Sequence, residues 1–148
     1  MFSQRRRAAF HEAGHVCCAL VYSIPIIRVT INATTPHLLR AYYRPPPGIG
    51  LEAMCVLCLS GPAAEEYFCG PIADGADRAD IEMAKRYLAR TCDLVMIGAG
   101  IRQARDAADR LVRTLSVRDQ IRRIAAALLE HGSLTGEEIA ALGAPKCF

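Results

Sequence analysis

The chain has 148 residues, 52% of them hydrophobic and 22% charged. That is one domain's length with enough apolar side chains for a core, which excludes a disordered chain and a small scaffold dependent on disulfides. A net charge of +3, 6% aromatics and no Trp give neither a strongly basic surface nor stacking platforms, so nucleic acid is not an expected partner.

In chain order, Ser3 can cap a helix that runs to about Tyr22. Ile24 to Ile31 is β-branched and partly alternating, and reads as a strand. Leu38 to Tyr43 reads as a second strand, and Pro45-Pro46-Pro47-Gly48 closes a loop. Ile49 to Cys69 is a long apolar helical stretch in which Pro62 either kinks the helix or starts a second one after Gly61. Gly70-Pro71 ends it. Asp77 suits the N-cap of a helix reaching about Arg90, and Gly98-Ala99-Gly100 reads as a turn. Helices follow near Ile101 to Leu115 and Val117 to His131, the second capped by Ser116. Ile121, Ile124, Ala125, Leu128 and Leu129 make one apolar face of that second helix, and Gly132 stops it. Thr135-x-x-Glu138 is a capping box for a last short helix ending at Gly143. The sum is a single domain over residues 1–148, mainly α with a small β element.

Seven cysteines, an odd number set in apolar runs, read as small core hydrophobes of a reducing compartment. Cys55 and Cys58 have CxxC spacing, but no second CxxC completes a zinc ribbon. Arg5-Arg6-Arg7 followed by the apolar Val16 to Ile27 loosely imitates a signal peptide, but His11, Glu12, His15 and Pro25 interrupt it. No run approaches the ~20 apolar residues of a membrane-spanning helix. A soluble, cytoplasmic protein is the expectation.

His11-Glu12-Ala13-Gly14-His15 is an HExxH motif within the first predicted helix. Residues four apart share a face, so both imidazoles can reach one Zn2+ ion. Glu12 then lies beside the metal and can take a proton from a bound water. Gly14 is costly in a helix interior and points to close approach of another element. The bland alternative is a helix with two surface histidines and a glutamate. Catalytic zinc usually has three protein ligands, so a third must come from elsewhere. His37, His131, Glu65, Glu66, Asp74, Asp77 and Asp80 are the candidates, and chemistry alone does not choose among them.

Ala8-Ala9-Phe10 leading into the HExxH motif resembles the peptidase domain of the FtsH family of ATP-dependent zinc proteases. Leu59-Ser60-Gly61-Pro62-Ala63-Ala64-Glu65-Glu66 is similar to that family's second block, and residues 74–84 resemble its third. Leu128-Leu129-Glu130 with Ser133 to Ile139 resembles its C-terminal helix pair. The resemblance implies a helical, zincin-like peptidase domain. It implies His11, His15 and Asp80 as zinc ligands, Glu12 as catalytic base, and Glu65 as a carboxylate orienting a ligand imidazole. An extra spacing before Asp80 makes Asp77 the runner-up ligand. Pro62 replaces a residue that is usually basic in the family. No G-x-x-x-x-G-K-[ST] phosphate loop occurs.

The expected function is therefore that of a stand-alone zinc metallopeptidase acting on unfolded polypeptides or peptides. An ATPase partner in trans and a homo-oligomer are compatible with it. The strand Ile26 to Ile31 is expected to pair with an extended substrate. The alternatives are a metal-binding interaction or regulatory module that has lost turnover, and a helical protein without metal. Intact Glu12 favours the enzyme over the module, and metal content separates both from the third.

Overall fold

Ser3 does cap the first helix: its side chain accepts a hydrogen bond from the Arg6 backbone N–H. In the computed structural model, which describes residues 3–32, 40–91 and 93–145, that helix is α1, Gln4–Val21. The strand pair β1 (Ile26–Thr30) and β2 (Arg40–Tyr43) follows, then α2 (Leu51–Cys69), α3 (Arg78–Leu88), α4 (Leu94–Arg113), α5 (Leu115–His131), β3 (Ser133–Thr135) and α6 (Gly136–Ala141). The chain is mainly helical, as expected. No helix among the described residues is long and apolar enough to cross a membrane.

α1 and α2 form the centre. α1 packs on α2, α5 and the strands, while α2 also contacts α3 and α4. Phe10 of α1 stacks on Phe68 of α2 with ring centroids 4.7 Å apart. Cys17, Cys18, Cys55, Cys58 and Cys69 are buried among aliphatic residues, the core role expected of them. Cys92 and Cys147 lie outside the described residues. Ile121, Ile124, Ala125 and Leu128 are fully buried, which bears out the apolar face of α5. Gly132 ends α5 in the left-handed region at φ 77°. The Thr135–Glu138 capping box is formed in both directions.

The sheet has three antiparallel strands in the order β2-β1-β3, with Val29 opposite both Ala41 and Leu134. β1 is thus the middle strand, with both of its edges hydrogen-bonded. The expectation that β1 pairs with an extended substrate is overturned: the open edges among the described residues belong to β2 and β3.

Of the two readings of Pro62, a second helix starting after Gly61 is excluded: α2 is one helix with Pro62 buried inside it. Two other helix readings differ. Gly98 to Gly100 is no turn but part of α4. A Cβ at Gly100 would lie 3.0 Å from Leu88, so the glycine lets α4 approach the end of α3. α5 begins two residues earlier than read, with Thr114 rather than Ser116 at the N-cap position. β3 was not foreseen.

Candidate metal centre

His11 and His15 are one turn apart on α1 and leave it on the same side. The helices meet closely there. A Cβ on Gly14 would stand 2.4 Å from the Ser60 carbonyl oxygen and 2.6 Å from the Ala64 Cβ, so Gly14 lets α1 approach α2 at van der Waals distance. A Cβ on Gly61 would stand 2.3 Å from Nε2 of His15. The HExxH reading anticipated the first glycine; the second stands in the segment that resembles the family's second block, but nothing marked its contact with His15.

Each imidazole is oriented through Nδ1. His15 Nδ1 donates to the Leu57 carbonyl at 2.8 Å, and His11 Nδ1 donates to Glu65 Oε2 at 3.0 Å. A neutral ring that donates from Nδ1 carries its lone pair on Nε2. These two Nε2 atoms lie 3.1 Å apart. Asp80, from the first turn of α3, completes the triangle: Oδ2 is 3.2 Å from His11 Nε2 and Oδ1 is 3.4 Å from His15 Nε2. Three acceptors facing one another suit a cation between them. Ligands at about 2.0–2.1 Å around a tetrahedral zinc would be roughly 3.3–3.4 Å apart, so the triangle has the dimensions of that ion's coordination face. Among the described residues, these three side chains form the His/Cys/Asp/Glu group able to hold a metal.

The electrostatics agree. Burial opposes protonation of His11, but hydrogen bonds to Asp80 and Glu65 outweigh it and raise its pKa to about 10. Burial likewise opposes ionisation of Asp80, yet its close contacts with His11 and His15 hold its carboxyl well below the ordinary range. The cluster attracts positive charge, whether a proton on His11 or a metal ion.

Glu12 is buried, and its charge is among those raising the pKa of His11. Tyr43 of β2 shares this environment: burial pushes its phenol well above the ordinary value, with Glu12 the next cause. Its hydroxyl is buried without a hydrogen-bond partner among the described residues. Sequence reasoning had no signal for Tyr43.

The other candidates lie elsewhere. Asp77 is at the N-cap position of α3, and Asp74 is exposed before it. Glu66 pairs with Arg105, and His131 is exposed beside Glu130. His37 lies outside the described residues. Burial pushes the Cys18 and Cys58 thiols up to about 12, so neither is a thiolate at neutral pH.

Part of the chain is similar to a known protein. Over 82 residues, 49% of this chain, the sequence is 37% identical to the ATP-dependent zinc metalloprotease FtsH 1 of Sorangium cellulosum (strain So ce56). The match spans 13% of that relative's length. No family model matches the chain.

Proposed function

We propose that the chain is a zinc metallopeptidase domain, with His11, His15 and Asp80 as metal ligands and Glu12 as the base. The observation that carries this reading is the convergence of two imidazole Nε2 atoms and one carboxylate at 3.1–3.4 Å, with both Nδ1 atoms already engaged by acceptors. The likeness to a zinc metalloprotease supports it. Bound zinc would supply a Lewis acid that activates water and polarises a peptide carbonyl. Glu12, next to the first ligand, accepts a proton from the attacking water and delivers it to the leaving amine. Glu65 and the Leu57 carbonyl hold the rings so that their lone pairs face the metal. Unfolded polypeptide or short peptide is the substrate class, and coupling to an ATPase in trans is compatible with this role.

The test compares the unmutated chain with Glu12→Gln, measuring zinc content and hydrolysis of a casein-type substrate. Gln cannot accept the proton, so hydrolysis falls by roughly 10²–10⁴-fold while zinc stays bound. Wild-type turnover by Glu12→Gln removes Glu12 from the role of base. Zinc bound without hydrolysis in the unmutated chain favours an interaction module. Absence of zinc sinks the site.

A further inference from the structure

We infer that Arg7 is a positioning residue for the metal centre: it holds Glu65 so that Glu65 in turn holds His11. The inference rests on the metal-site reading above and deepens it.

Arg7 lies one turn before His11 on α1, on the same side of the helix. Its guanidinium is anchored on main-chain carbonyls at the end of α2. Nη1 donates to Cys69 O at 3.3 Å and to Gly70 O at 3.4 Å; Nη2 donates to Gly70 O at 3.2 Å and to Pro71 O. Carbonyls at a helix C-terminus lack intrahelical partners and carry partial negative charge, so a cation is favoured there. With both terminal nitrogens engaged, the planar fork has a fixed orientation.

The remaining donor, Nε, faces Glu65 Oε1 at 3.4 Å. The other oxygen of Glu65 takes the His11 Nδ1 proton. The carboxylate is therefore held at both ends, and its side chain is only 12% exposed, which limits competition from water. A fixed Glu65 keeps the His11 proton on Nδ1 and the ring's lone pair aimed at the metal. Lys could not reproduce this, because an ammonium cannot span the carbonyls and the carboxylate in one rigid plane. The HExxH motif says nothing about this position. Arg7 acquires its role only because the fold brings it to residues 65–71.

The experiment is a double-mutant cycle on the full chain, with zinc affinity read by competition against a chromophoric chelator. The four proteins are the unmutated chain, Arg7→Ala, Glu65→Gln and the double variant. Removing the partner of a ligand imidazole typically weakens metal binding 10–100-fold, and that loss is expected for Glu65→Gln. Arg7→Ala, one contact further out, is expected to lose roughly 3–10-fold. In the Glu65→Gln background, less than half of that loss in logarithmic terms should remain. Loss of the carbonyl anchoring alone would act equally in both backgrounds. Unchanged affinity in Arg7→Ala, or half or more of its loss persisting beside Glu65→Gln, overturns the proposal. Where Arg7→Ala does not fold, Arg7→Lys takes its place under the same criterion. Failure of the unmutated chain to bind zinc would instead remove the metal-site reading, and this inference with it.

Discussion

Gly61 of α2 sits where any Cβ would lie 2.3 Å from Nε2 of His15. Helix propensity alone favours Ala over Gly in a helix interior by about 1 kcal/mol, so Gly61→Ala would stabilise α2 if nothing stood nearby. The imidazole does stand nearby, and it is pinned through Nδ1 to Leu57. Gly61→Ala should therefore destabilise the metal-free chain by about 1–3 kcal/mol and weaken zinc binding by roughly tenfold or more. Thermal unfolding and zinc titration check both. A raised Tm with intact zinc binding would show that the ring has other room.

Asp80 and Asp77 separate cleanly. Asp80→Asn removes the carboxylate that faces both Nε2 atoms, whereas Asp77→Asn alters a residue outside the cluster. Elemental analysis after purification without added metal should find zinc in Asp77→Asn and little in Asp80→Asn. The reverse pattern would transfer the third ligand to Asp77.

Alkali should act oppositely on the metal-free and zinc-bound chains. His11 titrates at about 10 when folded against an ordinary 6.5. Its contribution to metal-free stability is thus fully present below about 6.5 and lost as pH rises toward 10. Asp80 is depressed, so its contribution is present above the ordinary carboxylate range and lost as pH falls. Metal-free stability from this pair should peak in mildly acidic solution. On the proposed ligand set, zinc would have to displace the His11 proton, so its apparent affinity should climb across the same alkaline window. Unfolding scans from pH 4 to 10, with and without chelator, read both arms. Parallel pH profiles for the two forms would contradict the proton–zinc competition.

These 148 residues contain no phosphate-binding loop. Opening a stable folded substrate costs roughly 5–15 kcal/mol, which a metal site does not supply. A disordered protein should be cleaved and a stable folded domain spared, with no effect of ATP on either. Gel analysis of paired digests checks this; rapid loss of the folded domain, or stimulation by ATP, would refute it.

How much of this was legible beforehand depended on how local the cause was. Ser3, Gly132 and the Thr135–Glu138 box act within one helical turn, and each was readable from its neighbours. The His11–His15 spacing was readable for the same reason. Gly98 and Gly100 were misread because a glycine pair signals a turn locally, while here Leu88, from another helix, makes use of the missing Cβ at Gly100. β3 is three residues long and exists through pairing with β1, more than a hundred residues earlier. The acceptor for His15 is a backbone carbonyl, which every residue carries, so no residue type could mark Leu57 in advance.

α3 contributes Asp80, yet Ala84 is its one fully buried residue, whereas α1 buries ten. Ile81, Tyr87 and Leu88 pack α3 against the core only partly buried, so α3 is expected to open at lower free energy than α1. Departure of α3 would take the Asp80 carboxylate away while leaving the two imidazoles in place on α1. The lifetime of a bound ion would then be set by how often this one helix lifts. If the cluster holds a metal, occupancy should slow amide hydrogen exchange along α3 far more than along α1, because the ion would tie α3 to the two imidazoles.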